Sequence, residues 1–220
     1  MGVITALTVQ KRNSDRLNVY LDGKFAFGLA TAVAATLKVG QTLTPEQTAT
    51  LQQQDDVSKA KEKAVQLISR RPRSVAEIER HLRNKEFGDL VIEQAVIRLQ
   101  EVGLLDDEAF ARYWVDQRNT FKPRSHLALR QELQQKGVER HIIETAVNEV
   151  DQTAAARHAA QKQASRYTHL GEDEFRQKLG GFLQRRGFHY ETIQQVTNEL
   201  WATISNDNEH NTQNETEKDW

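Results

Sequence analysis

The chain contains no cysteine, which excludes a disulfide framework and any thiolate chemistry. It also lacks long apolar runs. The opening MGVITALTVQKR has no signal-peptide core, and nothing approaches membrane-spanning length, so a cytoplasmic protein without membrane contact is expected. Net charge is only −1, so no global field draws the chain to a polyanion. There is no Gly-rich phosphate loop and no G-x-S-x-G, and the seven histidines make no zinc-like pair. The trio Asp106-Asp107-Glu108 has no matching ligands nearby. It reads as a helix start, where a cap and negative charge suit the helix dipole. No metal, no cofactor and no enzymatic activity are expected.

What the chain does have is internal repetition. Leu129, Leu133, Val138, Ile143 and Val150 are apolar anchors of a middle unit. Subtracting 51 gives Ile78, Leu82, Phe87, Ile92 and Leu99, and adding 50 gives Leu179, Leu183, Phe188, Ile193 and Leu200. All fifteen are apolar, although only 38% of the chain is hydrophobic. Arg71-Pro72-Arg73-Ser74 recurs as Lys122-Pro123-Arg124-Ser125, and Gly137 recurs as Gly187; the first copy has Glu86 there. A period of about 50 residues marks tandem copies of one supersecondary unit.

The spacing within a copy is helical, as Leu129 and Leu133 are i,i+4. Ser74 with Glu77 makes a capping box, Ser125 caps its own helix, and Pro72 and Pro123 stop helices arriving from upstream. Gly137 and Gly187 fall where a helix end needs positive φ. Each copy reads as three short helices with little core of its own.

Ahead of the repeats, alternation at Val3, Thr5, Leu7 and Val9, then at Leu17, Val19 and Leu21, then at Phe25 and Phe27 predicts strands, with Asp22-Gly23 as a hairpin turn. Thr31 to Thr36 suggests a short helix, and Thr44-Pro45-Glu46-Gln47 starts another. The chain thus divides into a small β-rich module at 1–56, three-helix repeats at 57–105, 106–151 and 152–204, and a polar tail at 205–220 expected to be disordered. The fold class is mostly α.

Charge is uneven along this plan. Val57 to Leu200 holds 24 basic and 21 acidic residues, whereas Trp201 to Trp220 holds one basic and five acidic. The basic residues follow the repeat: Arg70, Arg71 and Arg73 at one corner, and Lys122, Arg124 and Arg130 at the next. Lys136, with Arg185 and Arg186, lies near the later helix junctions. As a set they suggest a stripe that meets a phosphate backbone or an acidic protein surface. Taken singly, each is ordinary for a solvated helix. Trp114, at i+4 from Phe110, reads as core and not as a base-stacking ring. The third helices carry more Glu than Arg, which argues against operator recognition in a DNA groove.

Asp107-x-x-Phe110-Ala111-x-x-Trp114-Val115-x-x-Arg118, then Arg124-Ser125 and Leu133-x-x-Lys136-Gly137-Val138, resembles the middle repeat of the RecX family, regulators of the RecA recombinase. Arg73-Ser74-x-x-Glu77-Ile78-x-x-x-Leu82 and Gly103-Leu104-Leu105-Asp106-Asp107 are similar to that family's first repeat and its junction. Lys24-Phe25-Ala26-Phe27 resembles its N-terminal module. The resemblance implies three tandem helix-turn-helix-like repeats in an elongated, curved array, without catalytic residues. It further implies a monomer that binds RecA and its filament on single-stranded DNA (duplex more weakly). In the filament groove it limits extension, ATP hydrolysis and strand exchange, within homologous recombination, DNA repair and the SOS response. Two rival readings are a direct DNA-binding protein built from helix-turn-helix-like units and a helical protein-interaction scaffold.

Overall fold

The computed structural model describes the backbone of residues 1–216 and the side chains of residues 1–206. It divides into two compact units, Met1–Asp106 and Asp107–Trp220.

The first unit opens with a four-stranded antiparallel sheet: β1 (Gly2–Gln10), β2 (Asn13–Leu21), β3 (Lys24–Ala30) and β4 (Thr42–Leu43), in the order β3-β2-β1-β4. Asp22 and Gly23 both have positive φ, +51° and +80°, as a two-residue turn between twisted strands requires. The short helix α1 (Thr31–Ala34) follows β3.

Simple alternation along β1 is not what the sheet uses. A register shift between Ile4 and Ala6 changes which side faces inward. Ile4 is fully buried and Leu7 packs on the same core, while Val3 and Val9 are exposed. β4 is only two residues long, too short for alternation to reveal; it completes the sheet by pairing Gly2 with Leu43.

Helix α2 (Pro45–Ile68) starts at the expected capping box, with Thr44 and Gln47 bonded reciprocally. It then runs unbroken for 24 residues, so the boundary expected at residue 56 falls inside a helix. The Gln- and Asp-rich stretch around it contains no Gly or Pro to stop propagation. Asp55 is instead buried. It accepts hydrogen bonds from Arg16 Nη2 at 2.7 Å and Ala30 N at 2.7 Å, and pairs with Lys59 at 2.9 Å. Burial alone would raise its pKa. The bonds from Arg16, Lys59 and Ala30 outweigh that and hold the carboxyl below the usual aspartate range.

Helices α3 (Val75–Arg83) and α4 (Asp89–Glu101) complete the first repeat on α2. The second unit holds α5 (Asp107–Phe121), α6 (His126–Gln135) and α7 (Arg140–Asn148), then α8 (Gln152–Ala164), α9 (Glu172–Gln184) and α10 (Tyr190–Thr216). All fifteen anchors pack in the cores of their own repeats. Each repeat has its own buried cluster, contrary to the expectation of little core. The first helix of each copy supplies what the anchors do not: Val57, Ala60 and Ala64 in α2, and five alanines, Ala155 to Ala164, in α8.

The helix ends repeat too. Gly137, Gly187 and Glu86 all have positive φ, at +78°, +86° and +64°. In each copy the following amide reaches back to close the turn: Val138 to Leu133, Phe188 to Leu183 and Phe87 to Leu82. The third copy has no Pro-Arg-Ser corner. Gly171 begins α9, and Glu172, Asp173 and Glu174 fill its first turn. Helix α10 continues past Ile204, the last residue that packs on the core among those whose side chains are described, so it takes in most of the segment expected to be a disordered tail. A helix already nucleated extends through polar residues at little cost per residue. Residues 217–220 of that tail lie outside the described residues.

Candidate interaction surfaces

In the first unit, the corner before α3 gathers cations around one carboxylate. Ser74 is fully buried and caps α3 by accepting from the amide of Glu77 at 3.2 Å. The Glu77 carboxylate takes a two-pronged bond from Arg71, at 2.8 and 3.2 Å, and has Arg73 within 3.7 Å. Burial, then the charges of Lys85, Arg73 and Lys63, hold the His81 imidazole below its ordinary pKa. The corner thus carries more positive charge than Glu77 offsets. Arg70 stands exposed beside it, with no ion-pair partner among the described residues.

In the second unit the corresponding hub is Glu132. It accepts from Arg118 Nε at 2.6 Å and from the Trp114 indole at 2.9 Å, and Arg124 lies 3.8 Å away. Arg118 and Lys136 sit 4.8 and 5.0 Å from the centre of the Trp114 ring. Phe110 and Ala111 are buried beneath, with the Phe110 and Trp114 rings 6.0 Å apart. Asp107 lies in the first turn of α5, where its charge favours the helix dipole. Among the motif residues, then, Phe110, Ala111, Trp114 and Arg118 form one packed cluster. The indole is only partly buried, yet its N–H and its face are both engaged.

Glu132 is the centre of this cluster, and the repeat pattern alone does not single it out. A signal for it exists in the sequence: it precedes the anchor Leu133 and lies on α6, which packs on α5. Arg130 turns to a different partner. It grips Glu144 on α7 through Nε and Nη2, at 2.8 to 3.0 Å, and Asn148 at 3.0 Å.

Repeats two and three meet inside this unit. The Ser125 amide donates to the Arg186 carbonyl at 3.2 Å, and Arg186 Nη1 donates to the Pro123 carbonyl at 3.0 Å. Arg186 also lies 4.5 Å from the centre of the Phe182 ring. Burial, and then the charge of Arg124, push the Arg186 guanidinium below its ordinary pKa.

The expected basic stripe therefore separates into two kinds of residue. Arg71, Arg73, Arg124, Arg130, Lys136 and Arg186 touch internal partners within their own unit. Arg70, Lys122 and Arg185 are exposed and have no ion-pair partner among the described residues. Among those residues no group of three or more His, Asp or Glu is placed to hold a metal ion, and no helix is long and apolar enough to cross a membrane.

The arrangement matches known proteins along nearly its whole length. Residues 2–44 match the regulatory protein RecX N-terminal domain, and 60–99, 106–147 and 149–197 match the first, second and third RecX three-helix domains. Regulatory protein RecX of Bacillus subtilis (strain 168) is 31% identical over 205 residues, covering 91% of this chain and 78% of that protein. The protein of the same name from Clostridioides difficile (strain 630) is 29% identical, covering 91% of this chain and 96% of its own. A crystal structure of regulatory protein RecX superposes with a TM-score of 0.74 at 27% identity, covering 90% of this chain and all of that one. The crystal structure of RecX from Lactobacillus salivarius gives 0.59 at 26% identity, over 66% of this chain and 97% of that one. An N-terminal sheet module followed by three copies of one three-helix unit, each matched in order, places this chain in the RecX family of regulatory proteins.

Proposed function

We propose that the protein regulates the RecA recombinase as an inhibitor, binding as a monomer in the groove of the RecA filament on single-stranded DNA and limiting filament extension, ATP hydrolysis and strand exchange. What carries this reading is the ordered match of all four domains to a family of regulators. The exposed cations Arg70, Lys122 and Arg185 support it, because side chains without internal partners are the ones left for an acidic or phosphate surface. Repetition helps as well: three modest contacts on one chain act at high effective concentration once the first has formed. The partner places the protein in the cytoplasm. Nothing in this role asks for a cofactor or a catalytic residue.

The test is RecA ATP hydrolysis on single-stranded DNA, with the protein titrated in well below one per RecA subunit. The rate is expected to fall at those ratios. With Arg70, Lys122 and Arg185 all changed to Ala, inhibition is expected to need about tenfold more protein, at roughly 0.5 kcal/mol per exposed charge. A rate that stays flat at equimolar protein would sink the reading.

A further inference from the structure

Two grooves in the second unit occupy the same place in successive repeats. One, of about 310 Å³, lies between α6 and α7 and is lined by Arg130, Gln134, Val138, Arg140, Ile143 and Glu144. The other, of about 360 Å³, lies between α9 and α10. Adding 50 to each residue of the first gives a lining residue of the second: Gly180, Gln184, Phe188, Tyr190, Ile193 and Gln194. In repeat two Arg130 spans the groove and grips Glu144 and Asn148. In repeat three Gly180 and Gln194 stand in place of Arg130 and Glu144, so both ends of that clasp are gone, while Asn198 keeps the position of Asn148.

Helix packing does not require this glycine. A Cβ at Gly180 would meet only Ile193 Cγ2, at an ordinary 3.5 Å. Yet glycine is the costliest residue after proline inside a helix. What it leaves is bare helix backbone in the wall of the groove. Around it stand four carboxamides, Gln177, Gln184, Gln194 and Asn198, whose side chains have no hydrogen bond among the described residues. The one charged lining residue, Arg176, is paired with Glu172. Tyr190 is 75% exposed at the rim.

We infer that this groove seats an extended, uncharged segment of a partner polypeptide, and that the partner is RecA; the inference rests on the function proposed above. Carboxamides suit a peptide backbone because each offers both donors and an acceptor. An extended segment has backbone groups free to meet them, whereas a helix bonds its own internally. Gly180 lets that second backbone approach closely, and Ile193 and the Tyr190 ring offer its side chains apolar contact. A groove whose single cation is already paired has nothing to hold a polyanion.

The first measurement is RecA ATP hydrolysis on single-stranded DNA, with the full chain titrated in. Gly180→Arg with Gln194→Glu rebuilds in repeat three the clasp of repeat two, at unchanged net charge. It is expected to raise the melting temperature by about 2–4 °C and to need about tenfold more protein for the same inhibition. Gly181→Ala makes a similar gain in helix propensity outside the groove, where its Cβ would meet only Arg185 Nη1 at 3.5 Å, and is expected to inhibit as the parent does. A clasp variant as potent as the parent would overturn the inference, and so would an equal loss from Gly181→Ala, which would assign the effect to stiffness. In the second measurement benzoylphenylalanine replaces Tyr190, and the chain is irradiated on RecA filaments and digested for mass spectrometry. Crosslinks are expected on one uncharged segment of RecA. Crosslinks to a second copy of this chain, to DNA or to nothing would overturn the inference, even where the clasp variant does not fold. A parent chain that leaves RecA hydrolysis untouched defeats the RecA reading and this occupant with it. A parent that inhibits beside an equally potent clasp variant defeats the groove alone.

Discussion

The hydroxyl of Ser125 occupies the space that a side chain at position 187 would need. A Cβ built on Gly187 would lie 2.6 Å from Ser125 Oγ and 3.4 Å from the Cβ of Ala128, and Gly187 has φ of +86°. Ser125 is fully buried and caps α6, so it has little room to retreat. The close approach of repeats two and three depends on that missing side chain.

Gly187→Ala is therefore expected to destabilise the second unit by about 2–4 kcal/mol, combining a disfavoured backbone conformation with overpacking. Thermal or urea unfolding measures it. In a Ser125→Ala background the overpacking part should shrink and leave about 1–2 kcal/mol for the backbone alone. Equal costs in both backgrounds would mean that the two residues do not clash.

Glu86 has the same role in the first repeat but the wrong chemistry for it. Its φ is +64° with a full side chain. Glu86→Gly is expected to stabilise the first unit by about 0.5–1 kcal/mol, since the gain in the folded state exceeds the added chain entropy of glycine. A fall in unfolding midpoint would contradict it.

Asp55 links stability to pH. Its folded pKa is depressed, so its contribution is fully present above the unfolded aspartate value. It is lost as pH falls through the lower folded one. The unfolding free energy is expected to drop in acid below the ordinary aspartate range. Asp55→Asn should cost about 3 kcal/mol at neutral pH, by leaving Arg16 with no charged partner in a nearly dry site, and should make the acid slope shallower. An unchanged slope would show that Asp55 is not the group titrating.

Glu132→Gln is expected to cost about 1–3 kcal/mol through weakened bonds to Arg118 and Trp114. Trp114→Phe alone removes one of those bonds, and the double variant should cost less than the sum of the two. Additive losses would mean that the indole and carboxylate stabilise the fold independently.

Much of this molecule is legible in its residues alone. The anchors reveal the repeats because an i,i+4 apolar pair buries the same face each time. Asp22-Gly23 reveals a turn because few other residue pairs tolerate positive φ twice in succession. The boundary expected at residue 56 fails because a polar stretch without Gly or Pro resembles a break and is not one. A buried Asp55 looks, in sequence, like any other charged residue on a helix surface. The site is harder still. Arg71, Arg124 and Arg130 each put a basic side chain in the expected place, but pairing depends on carboxylates such as Glu77, Glu132 and Glu144, which come close only on folding. His158, Lys162 and Arg166, on α8 and just past its end, escape a search built on the repeat, because they fall outside the repeated positions, although their spacing of four is plain in the chain.

Helix α2 serves two cores at once. Leu51 and Asp55 face the sheet, while Val57, Ala60 and Ala64 face α3 and α4. One residue inserted or deleted between Asp55 and Val57 would turn one set about 100° against the other. The sheet module is therefore no detachable appendage. A shortened protein begun at the apparent start of the repeats, residue 57, would carry half a helix and would lack Asp55. A faithful dissection of this chain has to cut after Asp106, not at residue 56.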